Sequence, residues 1–150
     1  MGKGYEVRKT KSKGEGIFAT KPFVPDETVI VGKIEKYLPK NTSHASQIGK
    51  NIFVLHNEDQ TKINHSCSSN CGIRVNLSGA HDIVAMKKIE KGKEITLDYA
   101  IRNYDVDFFP KICLCGSDQC RGKVTGWKNL SLEKRKEYIN YAAPYLLELA

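Results

Sequence analysis

No apolar run in this chain exceeds a handful of residues, so no segment is long enough to cross a bilayer as a helix. No positively charged, apolar-cored leader opens it, and an intracellular protein is the expectation. Met1-Gly2 does not begin a myristoylation signal, because the sixth residue is Glu6 rather than Ser or Thr. Internal repeats, low-complexity stretches and an evident linker are also lacking. The five cysteines are an odd number in a chain without a secretory signal, which argues against a disulfide framework and leaves metal binding as the better reading.

What is present fits one globular domain. The 150 residues are 40% hydrophobic and 27% charged, which suits a chain able to bury a core without extra staples. Lys and Arg number 24 against 17 Asp and Glu, a formal net charge of +7. Four thiolates around a divalent ion would lower that balance by two. The lysines fall in small groups (Lys9, Lys11 and Lys13; Lys87, Lys88, Lys91 and Lys93; Lys134, Arg135 and Lys136). Such groups read as a solvated face rather than a nucleic-acid stripe.

Short β-branched and aromatic runs broken by turn signals predict strands over residues 5–9, 17–20, 28–34, 52–56, 74–77, 82–86 and 94–99. Ser78-Gly79-Ala80 reads as the turn of a hairpin. Only the end is helical in pattern. Ser131 can cap a helix in which Leu132, Arg135 or Lys136, Ile139 and Ala142 or Ala143 recur. Pro144 interrupts it and suggests a bend or a second short turn. The class is mainly β with a C-terminal helix.

The densest chemistry is Cys113-Leu114-Cys115-Gly116-Ser117-Asp118-Gln119-Cys120, three soft ligands within eight residues. A closed structural zinc site takes four thiolate or imidazole ligands in a tetrahedron, so one more ligand comes from elsewhere. Cys67, His65 and Cys71 are the candidates, and composition does not choose among them. The spacing is not that of a DNA-reading zinc finger.

Asn64-His65-Ser66-Cys67-Ser68-Ser69-Asn70-Cys71 closely resembles the N-H-S-C-x-P-N signature of SET-domain lysine methyltransferases. Three further pieces follow that family's order. Lys13-Gly14-Glu15-Gly16-Ile17-Phe18-Ala19 is similar to its first cofactor loop. Gly92-Lys93-Glu94-Ile95-Thr96-Leu97-Asp98-Tyr99 resembles its G-E-E-I-T-x-D-Y strand. The segment from Cys113 to Arg121-Gly122 resembles its post-SET zinc motif.

The resemblance implies small β-sheets with a pseudoknot, in which residues 64–70 and the strand ending at Tyr99 meet at the active site. It divides the chain into a SET domain at 4–110, a post-SET zinc segment at 111–127 and a C-terminal helical extension at 128–150. It implies structural zinc on Cys67, Cys113, Cys115 and Cys120, with Cys71 packed beside the site. It also implies transfer of a methyl group from S-adenosylmethionine to a protein lysine, with Tyr99 catalytic. Cofactor binding falls to Lys13, Gly14, Glu15, Gly16, Asn64, His65 and Leu114.

The incoming lysine must shed its proton, and its free pKa is about 10.4; a narrow apolar channel favours the neutral amine. Leu97, Tyr104 and Phe108 are the channel candidates, with Phe109 beside them and Asp105 and Asp107 facing a basic peptide. The expected partner is a protein with an accessible lysine in a basic segment, such as a histone or other chromosomal protein. Neither membrane nor direct nucleic-acid binding is expected, and oligomeric state is not legible. The competing reading is a SET-like binding module without activity.

This chain departs from the pattern at three places. Ser69 stands where the family has proline, which should loosen the turn. The second cofactor motif has only Tyr37 and Ser43-His44-Ala45-Ser46-Gln47 as counterparts. Leu97 offers no hydroxyl where relatives often carry an aromatic, which favours di- or trimethylation.

Overall fold

The computed structural model describes residues 3–11, 14–42, 45–106, 113, 115, 117–118 and 120–149. The first motif lies on an antiparallel hairpin of β1 (Tyr5–Lys9) and β2 (Glu15–Ala19), in register from Tyr5 opposite Ala19 to Lys9 opposite Glu15. The expected strand over 28–34 is two strands, β3 (Thr28–Ile30) and β4 (Ile34–Leu38). Gly32 is the break. A Cβ there would lie 2.0 Å from the His81 carbonyl oxygen, so backbone meets backbone where no side chain fits.

The break sends β4 into a separate three-stranded sheet, β4-β6-β5, with β5 (Ser46–Gly49) and β6 (Ile52–His56). β5, and all of β4 beyond Ile34, lie outside the strands expected from the sequence. Both are short, and pairing on β6 rather than local pattern makes them. A one-turn helix, α1 (Glu58–Thr61), then leads to β7 (Asn64–His65).

β8 (Cys71–Val75) and β9 (His81–Ala85) form the expected hairpin, shifted so that the first strand begins at Cys71 and Leu77 is fully exposed. β10 (Glu94–Leu97) stops two residues short of the expected end. Tyr99 opens a 3₁₀ turn, Tyr99–Ile101, because the Asp98 carboxylate accepts the Ala100 N–H at 3.1 Å and caps it.

Among the described residues, seven strands make the larger sheet. Six follow the order β1-β2-β10-β8-β9-β3, and β7 pairs with β10 off that path. β7 runs parallel to β10 through Asn64–Thr96 and His65–Leu97, and β8 runs parallel to it at Leu97. Asn70 fills the gap between them. Its Nδ2 donates to the Glu94 carbonyl (2.8 Å) and its Oδ1 accepts the Thr96 N–H (3.0 Å), standing in for a strand's own backbone. The two motif segments expected to meet therefore do so on either side of β10. Ser69 is buried and donates to the Cys71 carbonyl at 3.2 Å, and the turn forms without proline.

The C-terminal helical segment is divided into α2 (Leu132–Glu137) and α3 (Pro144–Leu149). Ser131 caps α2 by accepting the Lys134 N–H, and Pro144 starts α3 rather than kinking a longer helix. The expected apolar stripe is only partly the buried face. Leu132 and Ile139 are exposed, while Tyr138, Ala142, Ala143 and Leu146 enter the core. α2 ends at Glu137, so Ile139 lies beyond it and the expected period does not carry that side chain inward. The core joins these residues to Ile17, Ile73, Ile83, Ile95, Leu97, Ile101 and Trp127.

Candidate active site and metal centre

Four thiols converge where the 64–71 segment meets the chain beyond Tyr99. The sulfurs of Cys67, Cys113, Cys115 and Cys120 all lie within 4.8 Å of one another. Zinc–sulfur bonds of about 2.3 Å place ligand sulfurs roughly 3.8 Å apart in a tetrahedron. Cys67 Sγ and Cys113 Sγ are 3.8 Å apart, so the set has the spacing zinc requires.

Burial pushes the Cys67 and Cys113 thiols up. Burial acts the same way on Cys115, but backbone bonds to Cys67 and Ser117 and the neighbouring thiols outweigh it, bringing Cys115 down to about 6. Cys71 is elsewhere, on β8, and burial drives its thiol up to about 12. Among the three candidates for the fourth ligand, the geometry brings in Cys67.

His65 stands between the cluster and Tyr99. Its Nδ1 accepts the Tyr99 backbone N–H at 3.0 Å, so its proton sits on Nε2, 3.5 Å from Cys67 Sγ. The His65 and Tyr99 rings meet edge-on with centroids 5.2 Å apart. Tyr99 is 8% exposed; its hydroxyl donates to the Ile63 carbonyl at 2.5 Å, and the Arg102 guanidinium lies 4.5 Å from its ring centroid. Burial raises the Tyr99 phenol above its ordinary value, so it is a neutral hydroxyl across the working range.

The glycine loop reaches the same place from β2. A Cβ on Gly16 would lie 2.7 Å from Glu94 Oε2 and 2.9 Å from Asn64 Nδ2. The Asn64 amide donates to the Glu15 carbonyl at 3.0 Å and to Glu94 Oε2 at 2.9 Å. Gly14, with φ +71, turns the chain into this approach. Thus Gly14, Glu15, Gly16, Asn64 and His65 are brought together, with Tyr99 next to His65.

Leu97 is fully buried in the core and pairs through its backbone with both His65 and Cys71. Tyr104 is half-buried, its N–H held by Gln47 Oε1 at 3.1 Å. Asp105 forms an ion pair with Lys128 at 2.9 Å, so its charge is already matched within the chain. Tyr37 is 65% exposed on β4. Lys13, Ser43, His44, Asp107, Phe108, Phe109 and Leu114 lie outside the described residues.

Sequence reasoning missed Asp98, although it sits inside a quoted motif. Its carboxylate is fully buried and receives both Arg121 terminal nitrogens at 2.8 Å and the Tyr138 hydroxyl at 2.9 Å. Burial alone would lower the Arg121 pKa, but the bonds to Asp98 outweigh it and raise it. Burial, then Asp98, push the Tyr138 phenol up. A buried carboxylate is tolerated only with such partners, and an Asp next to a motif tyrosine was the available signal.

The fold and site define a β-rich domain in which a glycine loop, an Asn-His strand and a tyrosine turn converge beside a four-cysteine cluster. Residues 14–100 match the SET domain family, and the chain belongs to it. Similar proteins include "Histone-lysine N-methyltransferase, H3 lysine-36 specific" of Mycosarcoma maydis, 30% identical over 81% of this chain and 14% of that protein. Another is "Histone-lysine N-methyltransferase set-2" of Caenorhabditis elegans, 32% identical over 76% of this chain and 9% of that protein. The chain thus spans a small part of the curated relatives it matches. A Plasmodium falciparum crystal structure, described as a candidate histone methyltransferase, shares the fold with a TM-score of 0.50. It is 21% identical and aligns over 64% of this chain and 92% of its own. Among the described residues no helix is long and apolar enough to cross a membrane.

Proposed function

We propose that this chain is an S-adenosylmethionine-dependent protein-lysine N-methyltransferase acting on a basic protein, a histone or another chromosomal protein. The observation that carries the reading is the parallel join of β7 to β10, around which Gly16, Asn64 and Tyr99 converge. Relatives named as histone-lysine N-methyltransferases support the same reaction class.

In this reading residues 4–110 are the SET domain, 111–127 the zinc segment and 128–150 the extension. Lys13, Gly14, Glu15, Gly16, Asn64, His65 and Leu114 hold the cofactor. The missing Cβ at Gly16 lets Asn64 and Glu94 close on β2, and the Asn64 amide oxygen, its nitrogen already bonded to Glu15 and Glu94, is the polar group offered to the amino-acid end. S-adenosylmethionine, when bound, supplies the electrophilic sulfonium methyl. Cys67, Cys113, Cys115 and Cys120 hold zinc, which orders the wall beside His65 and takes no part in the transfer.

Tyr99 is the catalytic residue. With its hydroxyl proton directed to the Ile63 carbonyl, its oxygen acts as an acceptor that orients an incoming amine. In-line transfer needs mainly such positioning. Leu97, Tyr104 and Phe108 flank the lysine path and disfavour the ammonium form by exclusion of water.

The test is transfer of radiolabel from S-adenosylmethionine to a panel of basic proteins, comparing wild type with Tyr99→Phe. Label on lysines that falls by about 10²-fold or more in the variant supports both reaction and residue. A wild type that binds zinc but neither binds cofactor nor labels any protein would overturn the reading in favour of an inactive binding module.

A further inference from the structure

Three stretches of chain distant in sequence end on one buried carboxylate. Asp98 lies between the last residue of β10 and Tyr99, and caps the turn that carries Tyr99 by accepting the Ala100 N–H. Arg121, just past the last cysteine, grips it with two bonds of 2.8 Å, while the Arg121 backbone N–H points at Cys67 Sγ, 3.3 Å away. Tyr138, at the end of α2, adds its hydroxyl at 2.9 Å. His65 Nδ1, which takes the Tyr99 N–H, is 3.7 Å from the same carboxylate.

The consequences follow from geometry. A bidentate guanidinium–carboxylate pair fixes both distance and orientation, so the Asp98 side chain cannot turn without moving Arg121. Arg121 is in turn fixed by the cysteine cluster. The position of the Tyr99 turn is therefore set from two sides: by the cluster through Arg121 and by the C-terminal segment through Tyr138. The latter is itself anchored, since the Tyr141 carbonyl accepts the Ile73 N–H at 2.7 Å and the Ala143 N–H donates to the Ile101 carbonyl at 2.8 Å.

We propose that Asp98 is a positioning residue that couples the cysteine cluster and the C-terminal helical segment to Tyr99. The proposal rests on the reading of Tyr99 as catalytic. It assigns to Tyr138, eleven residues past the end of the zinc segment at 127, a role in methyl transfer that the family motifs do not contain. Asp98 and Tyr138 act through the turn and touch neither cofactor nor lysine.

Tyr138→Phe tests it with the least disturbance, since it removes one hydroxyl and keeps the ring in the core. The experiment reads amide hydrogen exchange over residues 98–103, cofactor affinity by calorimetry, and kcat and KM on a methyl-accepting protein. Exchange over 98–103 should quicken, kcat should fall about tenfold, as expected for a lost hydrogen bond to a charged group, and cofactor affinity and zinc content should stay unchanged. Arg121→Ala should behave alike, with kcat and slow exchange partly restored by added methylguanidine. Unchanged exchange over 98–103 in both variants would overturn the coupling, whether or not any substrate is found. A wild type that neither binds cofactor nor transfers methyl, with exchange responding as expected, would leave the coupling standing and overturn the catalytic reading of Tyr99 instead.

Discussion

His56 and His81 lie stacked inside the protein, ring centroids 5.5 Å apart. His56 Nδ1 meets Ser46 Oγ at 3.0 Å and its Nε2 accepts the His81 backbone N–H at 3.0 Å. Among the described residues, neither ring nitrogen of His81 has a hydrogen-bond partner. Burial lowers His56 to about 4, and burial with the neighbouring His56 and Arg102 lowers His81 to about 3. Both are neutral when folded and take up protons on unfolding below about pH 6.5, the free value. Stability is thus full above pH 6.5 and falls as the pH drops toward the folded values, by about 2 kcal/mol per histidine between pH 7 and pH 5. Urea midpoints at the two pH values check this. His81→Leu should abolish about half of the loss, and an unaltered pH dependence would show that His81 is not its source.

Elements here are decided by approaches between distant backbones. Residues 28–34 carry the β-branched pattern of one continuous strand, yet the close pass of His81 cuts it at Gly32 and sends β4 to another sheet. Gly32→Ala should therefore lower the melting temperature by roughly 5–10 °C, the scale of an overpacked core site in a protein this size. A thermal melt that does not move would mean that the His81 approach does not hold the break. The same logic explains β10. Its Thr and Ile pattern reads through to Tyr99, but the Asp98 cap turns the chain before Tyr99 and aims that side chain at Ile63. Capping by a side chain three bonds from the main chain is visible locally; which of several acids caps what is not.

At the scale of the whole molecule, the cysteine cluster joins the centre of the chain to the segment after the Tyr99 turn. Metal analysis should find a single zinc ion per chain in wild type and in Cys71→Ser. Cys67→Ser should lose it or bind it far more weakly, because a closed structural site needs all four ligands. Retention of zinc by Cys67→Ser, or its loss in Cys71→Ser, would overturn the ligand set.

The sequence by itself carried the candidate metal ligands and a family resemblance, because both depend on residue types at close spacing. Three cysteines within eight residues point to a soft metal without a fold, whereas the Asn-His pair and the glycine loop take their cofactor reading from the resemblance. The mainly β class and the Ser131 cap were legible for the same reason, since both are local. The tertiary structure brings Cys67 into the cluster, as the resemblance implied, while Cys71, four residues on, lies in a strand core. It alone decided that Asp98 is shared by Arg121 and Tyr138, and that α2 ends before Ile139 can turn inward. These outcomes depend on which segments cross, and a crossing is settled by packing and buried charge across the whole chain rather than by any neighbour in sequence.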